Sequence, residues 1–276
     1  MTTSYDCNDA AQRAAGLEHA QKAIRENKCV VLPTDTVYGI GADAFSPMAV
    51  TLLLAAKGRS RQMPPPVLIP RLNALDGLAT EVPAEARQLA EAFWPGGLTL
   101  ILHAQPSLDW DLGETKGTVA LRLPADDVAQ DLLTLTGPLA VSSANRTGQP
   151  AAQTAAEAEA MLSESVEVYL EGGRRPVDGE AESAPSTIID ATSLPLRVVR
   201  QGAISLERIR EVVPGVLGAG EEPAGADEPT VEEPAAEEPA GGTAAEETAV
   251  EPAKPAAEAP AQQPAEAKPA AETPEA

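Results

Sequence analysis

Small polar and cationic side chains follow the ends of several apolar segments in this sequence. An arginine fork binds a carboxylate or a phosphate through two parallel hydrogen bonds, and a lysine supplies a compact positive charge. Hydroxyl groups among such cations add further donors and acceptors. The pattern therefore predicts a site for a polyphosphate and a small carboxylate. The side chains concerned are Thr34, Asp35, Thr36, Tyr38, Lys57, Arg59, Arg61, Arg122, Ser142, Ser143, Asn145, Ser186, Thr187 and Arg200.

Each of these side chains also has a structural explanation, which the residues alone leave open. Hydroxyls at a strand end satisfy turn amides, and Lys57 and Arg59 complement the negative end of a helix dipole. Arg122, inside an apolar strand, needs an anionic partner, and Asp126 or another carboxylate is a candidate. Together the residues favour a binding site, because ligands of open α/β sheets bind beyond the carboxyl ends of the strands.

Several common catalytic and cofactor motifs do not occur in the sequence. There is no G-x-S-x-G, H-E-x-x-H or C-x-x-C, no P-loop and no G-x-G-x-x-G, so a nucleotide must be held in another way. His19 and His103 stand apart from any partner signal and are predicted to be structural or surface residues. Cys7 and Cys29 lack metal-ligand spacing and are predicted to be free thiols in a reducing compartment.

Alternating strand and helix signals predict the fold class. We expect strands at "CVVLP", "PVLIP", "LTLILHA", "TVALRLP", "PLAVSSAN", "VEVYL", "STIID" and "LRVVR". Capping and stop signals predict helices at 9–27, 46–58, 83–93, 125–135, 155–163 and 205–213. Thr154 with Glu157 three positions on is typical of a capping box. The class is α/β, with a mixed sheet covered by helices.

Composition divides the chain into two predicted parts. The 276 residues carry a formal net charge of −22, of which −13 falls after about Ala219, where fifteen acidic residues face two lysines, and −9 before it. We predict a folded domain at 1–215 and a disordered acidic Ala/Pro/Glu-rich tail at 216–276. Such a tail cannot bury enough apolar surface to offset the entropy lost on ordering.

The sequence favours a cytoplasmic location without membrane contact. The N-terminus lacks the basic start and the apolar run of a secretory signal. No apolar segment approaches the roughly 20 residues that span a bilayer.

Seven of the segments, in order and spacing, resemble the YrdC-like family of threonylcarbamoyl-AMP synthases: "PTDTVYGIGADA", "AAKGR", "FWPGGLTLIL", "TVALRLP", "SSANRTGQP", "STIID" and "VVRQGAIS". The resemblance implies a twisted, mostly mixed sheet with a large concave ligand cavity. It implies ATP-dependent synthesis of L-threonylcarbamoyl-AMP from L-threonine and bicarbonate or CO2, with release of pyrophosphate. A separate transferase then passes the threonylcarbamoyl group to adenosine 37 of tRNAs that read ANN codons.

The resemblance also implies residue roles. Thr36, Arg122 and Ser186 are expected to bind L-threonine, with Tyr38 shaping that site, and Lys57 and Arg59 to be the catalytic cations on the ATP phosphates. Mg²⁺ is expected on those phosphates and not in a protein cage. The remaining ATP-binding residues are expected to be Thr118, Ser143, Asn145 and Arg200.

Three points qualify this hypothesis. Met63 and Leu68 stand where the family often has a polar residue and a histidine, which predicts weaker threonine binding or a different loop arrangement. A non-catalytic RNA-binding module of the same fold is the alternative function, with tRNA contact at most weak because the folded part is acidic and has no basic stripe interleaved with aromatics. Carbamoyl-adenylate synthesis, known in hydrogenase maturation, is a third possibility, although it occurs in much longer chains.

Overall fold

The computed structural model describes residues 2–177 and 184–223. Eleven strands lie in this part of the chain: β1 (Thr3–Asp6), β2 (Cys29–Leu32), β3 (Gly39–Asp43), β4 (Val67–Leu68), β5 (Ala79–Thr80), β6 (Leu98–Ala104), β7 (Thr118–Arg122), β8 (Leu139–Ser143), β9 (Val166–Glu171), β10 (Thr187–Asp190) and β11 (Arg197–Arg200). Its helices are α1 (Ala10–Arg25), α2 (Pro47–Lys57), α3 (Leu75–Leu78), α4 (Ala84–Phe93), α5 (Asp127–Thr136), α6 (Ala155–Leu162) and α7 (Leu206–Val212), with a 3₁₀ turn at Leu72–Ala74.

The strands form one mixed sheet in the order β1-β9-β2-β3-β8-β4-β7-β6-β10-β11, and β5 pairs with β6. Pairing is parallel between β9 and both β1 and β2, between β4 and β7, and between β6 and β10. The other neighbouring strands pair in antiparallel fashion. The predicted α/β class with a mixed sheet is confirmed.

Local capping groups set the helix ends, as predicted. Asp9 and Ser46 accept hydrogen bonds from backbone N–H groups in the first turns of α1 and α2, and Gly58 ends α2 in the left-handed region, at φ 64°. Only half of the capping box at α6 forms. Thr154 accepts from the Glu157 N–H (3.2 Å), whereas the Glu157 carboxylate accepts from the backbone N–H one residue earlier than predicted, that of Gln153 (2.7 Å).

Two apolar cores lie on opposite faces of the sheet. Helices α2, α4, α6 and α7 cover one face, and α1 and α5 cover the other. Adjacent residues of β2 alternate between them, with Val31 in the first core and Val30 in the second. Among the described residues, none from β6, β7, β10 or β11 joins the core under α1 and α5. That half of the face is therefore free to form a polar cleft.

The sequence pattern missed β1, β3, β5 and α3. Strand β3 carries two glycines, which lower strand propensity. The structure explains both of them by close packing. A Cβ atom on Gly39 would lie 2.6 Å from Val141 Cγ1, and one on Gly41 would lie 3.2 Å from Leu32 Cδ2. The glycines let β3 pack under these side chains in the middle of the sheet.

Contacts with the fold continue past residue 215, the predicted end of the domain. Val216 is buried, and Leu217 forms a parallel bridge with Arg197. The Glu221 carboxylate accepts from the backbone N–H of Gly218 (2.9 Å) and pairs with Arg210. The predicted disordered tail lies outside the described residues from 224 onward and stays a prediction.

The two cysteines are free thiols, as predicted, and both histidines contact other protein groups. Cys7 and Cys29 are free and buried, and burial raises the pKa of the Cys29 thiol to about 12. His19 contacts the Tyr5 hydroxyl (3.1 Å), and His103 Nε2 lies 3.0 Å from a backbone carbonyl. Within the described residues, no helix has the length and apolar character needed to cross a membrane.

Candidate active site

A row of side chains runs across five strands, from β4 at the edge of the core under α1 and α5 to β11 on the uncovered half of the sheet. Leu68 of β4 pairs in register with Arg122 of β7. Thr99 of β6 pairs with Ile188 of β10, which in turn pairs with Arg200 of β11. The antiparallel pairing of β6 with β7 brings Thr99 beside Arg122. Because paired residues project from the same face of a sheet, the row forms the floor of a cleft.

The cleft has a volume of about 180 Å³. This is below the roughly 300–1,000 Å³ typical of sites that enclose a drug-sized ligand, so the cleft by itself suits a small substrate such as an amino acid. The predicted large concave cavity stays a prediction. The polar residues that line the observed cleft are Thr34, Thr36, Tyr38, Arg59, Thr99, Arg122, Ser142, Ser143, Ser186 and Arg200.

The guanidinium group of Arg122 is fixed from three directions. Nε donates to the Gly96 carbonyl oxygen (3.0 Å), Nη1 to Thr36 Oγ1 (3.0 Å) and Nη2 to Asp35 Oδ1 (2.8 Å). Asp35 Oδ1 also accepts from the backbone N–H of Ala125 (2.8 Å). Of the five N–H donors of an arginine, one on each Nη has no partner among the described residues. This pair is available to an anionic ligand such as a carboxylate, which an arginine binds through two hydrogen bonds.

Two further arginines complete the cationic side of the cleft. Arg59 Nη1 donates to Ser142 Oγ (3.1 Å), while its buried Nε has no partner within the described part of the chain. Arg200, exposed at the rim, donates to the Ser186 carbonyl oxygen (2.7 and 3.2 Å). Desolvation lowers the pKa of both groups, and the nearby charges of Arg122 and Arg59 lower the Arg200 pKa further. An anionic ligand would relieve this crowding of positive charge.

Lys57 lies behind the cleft and not on its surface. The residue is 1% exposed, and its ammonium donates to the carbonyl oxygen of Ser143 and to the carbonyl and Oδ1 oxygens of Asn145 (2.5 and 2.8 Å). Burial, together with the charge of Arg59, lowers the pKa of Lys57 to about 7. The lysine therefore ties the end of α2 to the polar segment after β8.

The Sua5_yciO_yrdC family model, described as telomere recombination, matches residues 22–202. The chain belongs to this family. The predicted resemblance to YrdC-like proteins is thereby confirmed, and the mixed sheet with its surrounding helices is the fold of the family.

Relatives in this family carry the name of an enzyme. A putative threonylcarbamoyl-AMP synthase of Mycobacterium leprae is 49% identical over 219 residues, which cover 79% of this chain and 97% of that protein. The threonylcarbamoyl-AMP synthase of Pyrococcus abyssi is 38% identical over 191 residues, 69% of this chain and 55% of that protein. The crystal structure of P. abyssi Sua5 complexed with L-threonine has a TM-score of 0.71 and 33% identity, covering 79% of this chain and 62% of that chain.

Most of the predicted site residues of this family member meet at one place. The structure brings together Thr36, Arg59, Arg122, Ser143, Ser186 and Arg200 in the lining of the cleft. Lys57 and Asn145 lie directly behind it, and Leu68 forms part of its apolar wall. The contacts of all these residues with substrates stay predictions.

Two predicted residues lie elsewhere. Thr118 is at the start of β7, four residues or roughly 13 Å from Arg122 along the strand, and its hydroxyl donates to the Thr115 carbonyl oxygen (2.8 Å). It is not part of the cleft lining. Met63, predicted to alter substrate binding, is 49% exposed and also outside that lining.

The prediction left the carboxylate partner of Arg122 open between Asp126 and another residue, and the partner is Asp35. The Asp126 carboxylate makes other interactions: it caps the N-terminus of α5 and pairs with Arg175 (2.8 Å). Its position four residues after Arg122 in the sequence gave a misleading signal. Asp35 precedes Thr36 in the strand-end segment, and that adjacency was the only signal for its role.

Tyr38 is among the residues that line the cleft, and its side chain belongs to the apolar core on the other face of the sheet. The hydroxyl lies 2.7 Å from both Glu171 Oε1 and the Gly173 carbonyl oxygen and accepts from the Gly172 N–H (2.9 Å). Desolvation, with the Glu171 hydrogen bond next, raises the Tyr38 pKa. This network anchors the segment after β2 to the end of β9.

Proposed function

We propose that this chain is a threonylcarbamoyl-AMP synthase, which makes L-threonylcarbamoyl-AMP and pyrophosphate from L-threonine, bicarbonate or CO2, and ATP. The observation that carries the proposal is the convergence of Arg59, Arg122 and Arg200 with several hydroxyls on one small cleft. Both ATP and threonine carry groups that arginines bind. The near full-length match to the M. leprae relative and the threonine complex of P. abyssi Sua5 support the same substrates.

The chemistry needs no nucleophile from the protein. The neutral amine of threonine attacks CO2, and loss of one proton from nitrogen leaves a carbamate. A carbamate oxygen then attacks the α-phosphate of ATP, and the bond from that phosphorus to pyrophosphate breaks. The cleft lining contains neither cysteine nor histidine, in keeping with this route. The work left for the protein is orientation, for which roughly 7–11 kcal/mol is available, and stabilisation of charge on the phosphates.

The residues divide into an amino-acid end and a nucleotide end. Arg122 would bind the threonine carboxylate through its free fork, beside Thr36 and Ser186. Arg59 and Arg200 would bind the phosphates, with Ser143 at the boundary. Lys57 would act from behind, by holding the segment that carries Ser143 and Asn145.

Magnesium fits this site only when carried by the nucleotide. Among the described residues, no group of three or more His, Cys, Asp or Glu side chains is placed to hold a metal ion. The carboxylate of Asp35, next to the cleft residue Thr36 in the sequence, is engaged by Arg122 and Ala125. We propose that Mg²⁺ would reach the site on the ATP phosphates and would supply neutralisation of their charge there.

The product is a mixed anhydride of a carbamate and a phosphate, which water hydrolyses readily. We propose that a separate transferase takes up the threonylcarbamoyl group and transfers it to adenosine 37 of tRNAs that read ANN codons. Non-catalytic RNA binding is not favoured. Residues 1–218 carry a net charge of −9, whereas RNA binding relies on excess positive charge.

Incorporation of labelled bicarbonate tests the proposal. The protein is incubated with ATP, Mg²⁺ and ¹⁴C-bicarbonate, with and without L-threonine, and the nucleotide products are separated at once. We expect an adenylate that contains the label only when threonine is present. The protein is used at a concentration above the expected concentration of product. If no nucleotide product then carries the label, the proposed reaction is overturned.

A further inference from the structure

The hydroxyl group of Thr34 is the centre of the turn that follows β2. The side chain is 3% exposed. Its Oγ1 lies 2.6 Å from the Val37 carbonyl oxygen, 3.1 Å from Thr36 Oγ1, and 3.3 Å from the backbone nitrogens of Thr36 and Val37. These four contacts fix the side chain of Thr34, which in turn contacts Thr36, the predicted threonine-binding residue.

The contacts determine where the hydroxyl protons lie. A carbonyl oxygen only accepts, so the 2.6 Å contact requires that Thr34 donates its single proton to Val37. In the 3.1 Å contact between the two hydroxyls Thr36 is then the donor, and it shares the two lone pairs of Thr34 with the longer N–H contacts of Thr36 and Val37 (3.3 Å). A directed chain of donors results, from Arg122 Nη1 to Thr36, from Thr36 to Thr34, and from Thr34 to the Val37 carbonyl oxygen.

This chain leaves Thr36 with one lone pair and no proton for a ligand. Thr36 is 3% exposed and lines the cleft. A group that contacts its oxygen must therefore be a donor, such as an N–H or O–H, and a carboxylate is excluded. The free N–H pair of Arg122 lies beside it and requires the opposite, an acceptor. An amino acid offers this pattern, because its amine is one carbon away from its carboxylate.

We infer that Thr34 is a positioning residue that fixes Thr36 as a hydrogen-bond acceptor for the amine or hydroxyl of the amino-acid substrate. The inference rests on the proposed function for the identity of that substrate. It assigns the substrate carboxylate to Arg122 and the substrate donor to Thr36. Thr34 itself contacts no substrate in this account.

Two substitutions at position 34 separate hydrogen bonding from packing. Thr34→Val keeps the size but removes the acceptor for the Thr36 proton, so that Thr36 is free to rotate. Thr34→Ser keeps the hydroxyl. One lost hydrogen bond of about 1 kcal/mol corresponds to roughly a fivefold change in affinity. We expect Thr34→Val to raise the Kd for L-threonine, measured by calorimetry, about five- to tenfold, with the Kd for ATP unchanged and Thr34→Ser like the wild type.

Repeating the titration with O-methyl-L-threonine identifies the donor. If the substrate hydroxyl donates to Thr36, the difference between Thr34→Val and the wild type disappears with this analogue. If the amine donates, the difference persists. Both results require the acceptor role of Thr36 and support the inference.

Equal threonine affinity in Thr34→Val and the wild type would overturn the inference, as would equal losses for threonine and ATP. If Thr34→Val does not fold, Thr36→Val decides, because it removes the acceptor directly and must weaken threonine binding at least fivefold, as a lost hydrogen bond requires. Unchanged binding by that variant would also overturn the inference. Failure of the proposed function is a separate result, in which the wild-type protein binds threonine but makes no adenylate, or does not bind threonine at all.

Discussion

The Lys57 ammonium is in direct contact with Asn145, donating to its carbonyl oxygen (2.5 Å) and to its side-chain Oδ1 (2.8 Å). These two residues are 88 positions apart in the sequence. Their contact joins the C-terminal end of α2 to the segment that follows β8, and the neighbouring residues Arg59 and Ser143 line the cleft. The buried lysine thus holds together the two segments, after α2 and after β8, that border the proposed nucleotide end of the site.

The lowered pKa of Lys57 predicts a dependence of stability on pH. The pKa is about 7 in the folded protein against an ordinary 10.5, so between these values the unfolded chain binds the proton more tightly. Stability therefore rises with pH in this window. We expect the free energy of unfolding of the wild type, relative to Lys57→Met, to increase by about 2 kcal/mol from pH ~7 to pH ~9 in urea titrations.

An exposed lysine on α1 provides the matched control. Lys22→Met removes the same charge from the surface, and its stability relative to the wild type should change little over the same pH range. If the difference in the free energy of unfolding between the wild type and Lys57→Met stays constant with pH, the account of the buried ammonium is contradicted.

Two fully buried tyrosines predict opposite effects of losing a hydroxyl. The Tyr38 hydroxyl contacts Glu171, Gly172 and Gly173, whereas the Tyr169 hydroxyl is buried with no partner in the described part of the chain. Tyr38→Phe leaves buried polar groups unpaired and should destabilise the protein by about 1–3 kcal/mol. Tyr169→Phe should be neutral or slightly stabilising. Urea unfolding compares the two variants, and an equal loss in both would rule out the hydrogen-bond network as the cause.

The effect of removing the C-terminal segment on the melting temperature should depend on the residue after which the chain is cut. A chain that ends after residue 223 keeps Glu221, which contacts Gly218 and Arg210, and should retain both its melting temperature and its threonine-dependent activity. A chain that ends after residue 218 loses these contacts and should melt at a lower temperature with its turnover unchanged. A large loss of turnover in the longer of these chains would show that the acidic segment takes part in the reaction.

Much of the fold was predictable because its strands are apolar and its helices have strong start and stop signals. Asp9, Ser46 and Gly58 marked helix ends correctly. Strand β3 was not predictable, because its glycines are favoured only by the close approach of Val141 and Leu32, which a sequence does not display. Short strands such as β5 consist of two residues, too few for any periodicity.

The candidate site was predictable in its residue types but not in its internal order. The clustering of hydroxyls and cations at strand ends correctly indicated the cleft. The pairing of Arg122 with Asp35 depends on how the turn after β2 meets the end of β7, and therefore on tertiary structure. The burial of Lys57 and the distance of Thr118 from the cleft depend on it as well.

Pyrophosphate release from ATP is the most direct test of the central claim, that the cationic cleft holds an amino acid beside the phosphates of a nucleotide. The rate is measured with L-threonine and bicarbonate, with L-serine and bicarbonate, and with bicarbonate alone, in the wild type, in Arg122→Met and in the surface control Arg87→Met, whose arginine forms an exposed ion pair with Asp76. We predict that release requires the amino acid and is faster with threonine than with serine. The rate should fall at least tenfold in Arg122→Met, as expected when a charged hydrogen-bond partner is lost. It should be unchanged in Arg87→Met. Release at the same rate without any amino acid, or an undiminished rate in Arg122→Met, would contradict the account.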